Sequence, residues 1–348
     1  MKELKKEYHY VGLDVHKKVI VYCVKKADGT IEEEGKVNAT RRDLNDLAEK
    51  LPRPWAGAME ATLFTGWIYD FLLPHADDLR VGHSYMLRAI CAGKKKNDRV
   101  DAQKLADMLR CNWFPQAYMP SAEVRELRKM LRYRNLLVRE EVRLNNKTAG
   151  LLMEAGVEYD KGKLHGKRYF NKLIDELDYV PESLKELAAS SHESAKYFER
   201  IQKRLVNELK ENPMLKERLE NLMSIPGVGE ITALTWALEI DDPHRFKNRK
   251  KAVSYCGLCS GLDESAGVQR RNPLSKQRNK HLQTILIETA KLAVNWNPQL
   301  ATVYDKAKER GANRNEATIA VARMLVSYLL YVDKKDKRFL VKEKNEGE

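Results

Sequence analysis

The sequence is poor in the features that mark secreted and membrane proteins. Its 348 residues include only five cysteines, an odd number spread along the chain, which excludes a disulfide framework for the fold and favours a reducing compartment. No stretch approaches the roughly 18 uninterrupted apolar residues of a membrane span. The first residues, MKELKKEYHY, also lack the apolar core of a signal peptide. We therefore expect a cytoplasmic protein.

Acidic residues are outnumbered by basic ones. The chain has 63 Lys and Arg against 50 Asp and Glu, which gives a formal net charge of +13. A surplus of this size favours a polyanionic partner, and nucleic acid fits better than a membrane surface because no basic helix carries an aromatic face. The chain length predicts two or three domains.

The apolar pattern changes twice along the chain. Short strand-like runs come first and then alternate with helices, which predicts an α/β domain. A long helical stretch follows, in which apolar residues recur every seven positions, as in Met130, Leu137, Leu144 and Leu151; this predicts a coiled coil or helical hairpin. Residues 157–181 look irregular. The predicted domains are 1–118 (α/β), 119–222 (helical), 223–335 (mostly helical and basic) and 336–348 (a charged tail).

Four carboxylates occupy positions at which they could together bind a metal ion. Asp14 and Glu60 end two apolar strand candidates, while Asp98 and Asp101 open a predicted helix. Converging carboxylates repel one another, and Mg²⁺, which prefers oxygen ligands, relieves that repulsion. Taken singly, each acid also has an ordinary interpretation: a turn acid, a surface acid, or acids that favour the helix dipole.

The segments around these acids resemble one family. GLDVHK, MEAT and KKNDRVDAQKLA are similar, in order and spacing, to three segments of the DEDD-type insertion-sequence transposases, which are relatives of the pilin-gene-inverting recombinases. The resemblance implies a RuvC-like, RNase H-fold domain whose Asp14, Glu60, Asp98 and Asp101 bind Mg²⁺, with Mn²⁺ as a substitute. It further implies a prokaryotic, nucleoid-associated enzyme that acts on double-stranded donor and target DNA. A structured guide (bridge) RNA and a homodimer or homotetramer with composite active sites are implied as well.

A serine nucleophile is implied by the C-terminal resemblance. The segment SYCGLCSGLDESAGVQRRNPLSKQRNKHLQ is similar to the part of the family in which one serine forms a covalent link to DNA. Ser265, in the Ser/Gly turn, is the first choice. Ser275 is second, because its position also fits a helix N-cap, and Ser260 is third.

Basic residues and two glycines are the predicted nucleic-acid contacts. Between His244 and His281 there are ten Lys or Arg and two acids. SIPGVGEITA resembles a helix–hairpin–helix, whose glycines let backbone N–H groups approach a phosphate, although a plain helix–turn–helix contact explains it as well. The predicted contacts are Lys94, Lys95, Lys96, Arg99, Gly227, Gly229, Arg270, Arg271, Lys276 and Arg278.

Three further residues have a structural and a functional interpretation. Cys256 and Cys259 form a C-x-x-C pair, for which His281 is a conceivable partner, but a zinc site needs about four ligands, so buried small residues are the preferred interpretation. His16, beside Asp14, is either a surface histidine or a group that touches a metal or phosphate.

The predicted function is that of a DNA transposase or recombinase that cuts and rejoins DNA through a serine–DNA intermediate. One alternative is a metal-dependent nuclease or Holliday-junction resolvase in which the acids activate water. Another is a non-catalytic nucleic-acid-binding protein, against which the presence of all four acids counts.

Overall fold

A computed structural model of the chain describes the backbone of residues 8–90, 97–265 and 268–340, and their side chains outside 262–272. The chain forms two compact units, Met1–Ala122 and Glu123–Glu348. None of the helices in the described ranges combines the length and hydropathy needed to cross a membrane. The predicted division into a mixed α/β N-terminal part and a mostly helical remainder is confirmed.

The N-terminal unit contains a five-stranded mixed sheet with the strand order β3-β2-β1-β4-β5. The first three strands form an antiparallel meander, and the last two run parallel to β1. The carboxyl ends of β1, β4 and β5 therefore lie at one edge of the sheet. The strands are β1 His9–Val15, β2 Val19–Lys25, β3 Ile31–Asn38, β4 Trp55–Glu60 and β5 Asp78–Gly82.

Helices cover both faces of this sheet. Because side chains alternate along a strand, Val11 and Leu13 of β1 join a core with Leu44 and Ile68 on one face, whereas Tyr10 joins a core on the other. Leu105 and Leu109 complete that second core. The helices are α1 Arg41–Lys50, α2 Thr65–Leu72, α3 Ser84–Ile90 and α4 Asp98–Arg110.

The C-terminal unit is built around a buried helix, α9, whose Trp236 and Leu238 are inaccessible to solvent. Leu325 and Leu329 of α13 belong to the same core. The elements of this part are α5 Ala122–Glu154, α6 Lys167–Asp175, α7 Glu182–Lys210, α8 Lys216–Met223, α9 Glu230–Ile240, α10 Arg249–Tyr255, β6 Ser260–Ser265, β7 Val268–Leu274, α11 Lys280–Ala293, α12 Pro298–Glu309 and α13 Arg314–Lys335.

The prediction that 157–181 is irregular is wrong for α6. Its Phe170 is buried and stacks on His192 of α7, with ring centroids 4.0 Å apart. Packing against α7 therefore stabilises this helix, although its local sequence pattern does not predict one. Further elements were not predicted, among them α12 and β7. Helix α12 begins at Pro298 behind the N-cap Asn297, and the basic stretch after Ser265 pairs with β6 as β7.

Helix α5 contains the predicted apolar column and packs against α7. Leu137, Leu151 and Leu152 are buried on α5, and Gln202 of α7 donates a hydrogen bond to Glu141 at 2.6 Å. Leu151 and Leu152 join a core with Ala188 of α7. The coiled coil itself, and its use as a dimer contact, stay predictions.

Candidate functional site

Asp14 lies at the carboxyl edge of the sheet, one residue before the end of β1. Its carboxylate is half-buried, and one oxygen, Oδ2, is 3.1 Å from Nε2 of His16. Burial raises the pKa of Asp14 above its ordinary value, and the neighbouring His16 offsets part of that increase. The nearby carboxylates of Asp98 and Asp101 raise the pKa further. The ionised form of Asp14 is thus destabilised by its surroundings, and a nearby positive charge would stabilise it.

Gly12 explains how α4 brings its acids to Asp14. A Cβ atom at position 12 would lie 1.9 Å from the carbonyl oxygen of Ala102 and 2.7 Å from the amide nitrogen of Ala106. Only glycine therefore allows the backbone of α4 to rest against β1. The Asn97 side chain caps the helix by accepting a hydrogen bond from the backbone N–H of Arg99. The first turn of α4, which carries Asp98, is then held beside the end of β1.

Asp14, His16 and Asp98 form a group able to hold a metal ion. One ligand atom of each lies within 4.8 Å of the others, and Nε2 of His16 is 3.4 Å from Oδ2 of Asp98. Within the described ranges, no other group of three such residues comes so close together. The donors fit a divalent cation, since two carboxylates suit Mg²⁺ or Mn²⁺ and the imidazole adds a nitrogen ligand or a hydrogen bond to a ligand oxygen.

Glu60 and Asp101 stand at the border of this group. Glu60 ends β4, one position beyond the paired residues Leu13 and Met59, so it lies beside Asp14 on the adjacent parallel strand. Asp101 lies one turn after Asp98, and its carboxylate is 3.6 Å from Nζ of Lys104. The structure thus places the four predicted acids at one sheet edge, and brings Asp14 and Asp98 within ligand distance through His16.

Arg99 has a partner within its own unit. Its Nε donates to Oε2 of Glu34 on β3 at 2.6 Å, and the amide of Gln103 donates to the same carboxylate. These bonds tie α4 to the far side of the sheet. The predicted contacts Lys94, Lys95 and Lys96 lie outside the residues that the structure describes.

Ser265 is the last residue of β6 and pairs with Val268 at the end of the β6–β7 hairpin. The two residues between them, and the side chains of Ser265, Arg270 and Arg271, fall outside the described part of the structure. Ser260 begins β6 at the opposite end of the hairpin. The backbone therefore places the predicted nucleophile at the last paired position of the β6–β7 hairpin in the C-terminal unit.

Ser275 follows the hairpin in a tight turn. Its backbone N–H donates to the Cys259 carbonyl at 3.0 Å, and its Oγ accepts from the N–H of Gln277 at 3.1 Å. The N-cap interpretation of Ser275 is wrong, because the N-cap of α11 is Asn279, whose Oδ1 accepts from the N–H groups of His281 and Leu282. An asparagine cap is preferred because its side chain reaches these orphan donors.

Asn279 is itself anchored by a buried acid that the sequence analysis missed. Its Nδ2 donates to Oε2 of Glu239 at 2.7 Å, and Arg132 donates two 2.8 Å hydrogen bonds to the same carboxylate. Burial alone would raise the pKa of Glu239, yet the hydrogen bonds and charge of Arg132 hold it below its ordinary value. The sequence feature that could have predicted this buried acid is a single glutamate inside the apolar run TALTWALEI. This network fixes the turn between the hairpin and α11.

The remaining predicted contacts occupy two places. Gly227 has a φ of +90°, and a Cβ there would lie 2.7 Å from the Cα of Ala293, so this glycine permits close packing on α11. Gly229 precedes α9, with open space around its Cα. Lys276 and Arg278 are exposed, and Arg278 donates to the Ser275 carbonyl at 3.2 Å.

Cys256 and Cys259 are free in the structure, with Cys256 fully buried. Burial raises the pKa of the Cys256 thiol far above its ordinary value, which favours the neutral thiol over a metal-binding thiolate. Because no third metal-binding side chain approaches them within the described ranges, these cysteines and His281 form no metal group there. The preferred structural interpretation fits this environment.

Comparison with known proteins identifies the family. A DEDD transposase model of the IS110 group matches residues 11–156, which contain all four acids, and the model "Transposase IS116/IS110/IS902 family" matches residues 219–305, which contain the serine hairpin.

Several curated relatives are transposases. The chain is 27% identical to the transposase for insertion sequence element IS1111A of Coxiella burnetii over 65% of its length and 64% of that protein. It is 26% identical to a probable family 20 transposase of Pseudomonas aeruginosa over 82% and 83% of the two chains. It is 25% identical to the transposase for IS1328 of Yersinia enterocolitica over 57% and 58%. This protein therefore belongs to the DEDD-type insertion-sequence transposases of the IS110/IS116 family.

Proposed function

We propose that this transposase cuts and rejoins double-stranded DNA through a covalent serine–DNA intermediate. The observation that carries the proposal is the convergence of Asp14, His16 and Asp98 at the carboxyl edge of a mixed sheet in a chain that also carries the family's serine segment. The strand order, with Glu60 at the end of the neighbouring strand, supports a RuvC-like, RNase H-fold assignment for this unit.

The proposed chemistry is a phosphoryl transfer to serine. The Ser265 hydroxyl loses its proton, and its oxygen forms a bond to the phosphorus of the scissile phosphodiester. The bond from phosphorus to one sugar oxygen breaks, and that oxygen leaves as a hydroxyl after taking up a proton. Rejoining is the reverse, with a sugar hydroxyl of another DNA end displacing the serine oxygen. The phosphodiester bond energy is conserved in the serine linkage, so no external energy source is needed.

The acids of the N-terminal unit would hold Mg²⁺, for which Mn²⁺ could substitute. The ion would supply charge stabilisation for the phosphate oxygens. Asp14, Glu60, Asp98 and Asp101 would act as its ligands, and His16 would orient the Asp14 and Asp98 carboxylates through its Nε2. Lys276 and Arg278, exposed after the hairpin, would bind backbone phosphates.

Two partners are proposed from the family resemblance. A structured RNA would pair with donor and target DNA and so choose the sites. A second copy of the chain would complete each active site, with the acids and the serine contributed by different subunits. The net charge of +13 supports binding of DNA and RNA together.

The test is to trap the intermediate. Purified protein is incubated with Mg²⁺, the RNA that copurifies with it and end-labelled DNA bearing the junction of the element, and then denatured with detergent. The wild type is expected to give a labelled protein–DNA band. Ser265→Ala should abolish the band, while Ser275→Ala, a matched change in the turn that follows, should retain it.

Each contrary outcome has a definite meaning. An adduct that survives Ser265→Ala rules out that residue, and loss only in Ser275→Ala transfers the role to Ser275. Cleavage without an adduct in any variant would contradict the serine mechanism. It would favour the nuclease or junction-resolvase alternative, in which the acid group of the N-terminal unit activates water without the hairpin.

A further inference from the structure

A groove in the C-terminal unit opens at the root of the serine hairpin. It has a volume of about 970 Å³. Ser260 and Leu274, the first residue of β6 and the last residue of β7, line one side. The turn between α12 and α13, with Arg310 and Asn313, lines another, and Lys291 of α11 is also part of the wall. Of the predicted nucleic-acid contacts whose side chains the structure describes, none lies in this lining.

The groove is cationic. Among the side chains that the structure describes, its lining contains Lys291, Arg310 and Arg323 and one acid, Glu316. Oε2 of Glu316 accepts a hydrogen bond from the backbone N–H of Asn313 in the capping box of α13, so this carboxylate is committed to the helix N-terminus. The positive side chains therefore outnumber the acid and are not neutralised by it.

The two arginines have N–H groups that make no hydrogen bond to the described residues. Arg310 is exposed, and its guanidinium makes no ion pair or hydrogen bond with the described residues. Nε of Arg323 donates to the Leu258 carbonyl at 2.7 Å, which fixes the side chain, while its terminal amino groups bond to nothing within the described ranges. Lys291 pairs with Glu288 at 2.7 Å, and that surface pair is weak enough to exchange for a phosphate. A guanidinium matches the oxygens of a phosphate in two-point geometry.

The distance to the hairpin tip suits a continuous strand of nucleic acid. A β-strand rises about 3.4 Å per residue, so the five steps from Ser260 to Ser265 span roughly 17 Å. A DNA strand carries one phosphate per roughly 3.4 Å of helix axis, so this span corresponds to at most about five base-pair steps, since the register shift between Ser260 and Leu262 shortens it. A DNA segment that runs along the hairpin would therefore reach both.

We propose that this groove binds the DNA backbone on one side of the cleavage point, with Arg310, Arg323 and Lys291 contacting phosphates. That the bound segment flanks a scissile bond depends on the proposed function. That the groove binds DNA phosphates depends only on its own charge and shape. The groove would fix the position of the duplex while the hairpin tip approaches the phosphodiester.

The test measures the salt dependence of binding. Affinity for a fluorescein-labelled DNA duplex is determined by anisotropy over a series of salt concentrations for the full chain and for Arg310→Gln and Arg310→Gln/Lys291→Gln. Each lost phosphate contact is expected to reduce the slope of log K against log salt by about 0.9. Arg204→Gln, a matched change at an exposed arginine of α7 outside the groove, should leave the slope unchanged.

The results separate the groove from the proposed function. An unchanged slope in both groove variants, or an equal change in Arg204→Gln, overturns the groove assignment. A slope that changes for an RNA duplex and not for DNA overturns the choice of DNA. If the groove variants lose slope while wild-type protein forms no serine adduct, the groove stands and the serine mechanism fails.

Discussion

At the scale of single residues, Asp14 and His16 lie two positions apart in the sequence and together form part of the candidate metal site. Their positions at the end of β1 put the imidazole beside the carboxylate, and the first turn of α4 adds Asp98 on the other side of the same nitrogen. Each acid is ordinary by itself, but beside the shared imidazole the carboxylates repel one another, and the proposed divalent cation would relieve that repulsion.

Replacing Asp98 by Asn should remove one metal ligand while preserving the side-chain volume. We expect DNA cleavage to fall by about 100-fold or more, because changes even behind the metal ligands cost 10- to 100-fold. DNA binding should be retained. Cleavage of labelled DNA and Mn²⁺ binding by electron paramagnetic resonance provide the measurement.

Asp46→Asn is the control for that change, because Asp46 is exposed on α1 and belongs to no group of possible metal ligands within the described ranges. It should cleave like the wild type. Full activity of Asp98→Asn, or of the wild-type protein in excess EDTA, would contradict the metal site.

A second residue-scale prediction concerns His192. Neither ring nitrogen of this buried imidazole has a hydrogen-bond partner, and burial lowers its pKa below 6.5. Between the folded and unfolded pKa values the unfolded chain binds more protons, so stability is retained above about pH 6.5 and lost as the pH falls. Urea unfolding at several pH values should therefore show a falling midpoint below that pH.

His192→Leu removes this titration but keeps an apolar contact for Phe170. The stability of the wild type relative to the variant should therefore fall steadily as the pH is lowered from 8 into acid. Parallel pH profiles for the two proteins would show that His192 does not titrate in this way.

At the scale of elements, the packing of α4 on β1 builds the metal group, and Gly12 permits it. The Gly12→Ala change places a methyl group against the backbone of Ala102, which side-chain rotation does not relieve. Forced overpacking of this kind costs typically about 1–3 kcal/mol, and the shift of α4 should also weaken metal binding.

Thermal unfolding of Gly12→Ala and Gly150→Ala makes the comparison. A Cβ at Gly150 meets nothing within 4 Å, and the residue lies inside α5, so alanine there should be neutral or stabilising by up to about 1 kcal/mol. If Gly12→Ala proves as stable as the wild type and binds Mn²⁺ equally well, the close packing of α4 is not what sets the site.

At the scale of the whole molecule, the acids and the serine lie in different units of the chain. The proposed sharing of active sites between subunits makes a direct prediction. Asp98→Asn and Ser265→Ala should each be inactive alone, but a mixed dimer contains one site with intact acids from one subunit and an intact serine from the other. Co-expressed variants with different affinity tags should therefore recover adduct formation.

Complete inactivity of the purified mixed dimers would contradict shared sites. Two controls are required. Each variant must remain inactive by itself, and each must bind the labelled DNA as well as the wild type does.

Many secondary-structure elements of this protein could be predicted from the sequence, because they depend on residues close together in the chain. Thr40 caps α1, and a Thr just before a helical run is a local signal, since its side chain reaches the N–H of Asp43 in the adjacent turn. Strands β1 and β2 coincide with β-rich apolar runs, and the long helix α5 follows its apolar period. Helix α6 was missed because it depends on stacking with His192. The N-cap of α11 was assigned to the wrong residue because the true cap, Asn279, is held by Glu239, forty residues away.

The sequence by itself determined the family, the mixed α/β unit followed by helices, and the four acids, because chemical identity and order are properties of the chain. Only the tertiary structure decided that His16 bridges Asp14 and Asp98, that Glu239 anchors the turn after the hairpin, and that a cationic groove lies at the hairpin's root. These depend on the approach of distant backbones, which close packing settles and which no local pattern encodes.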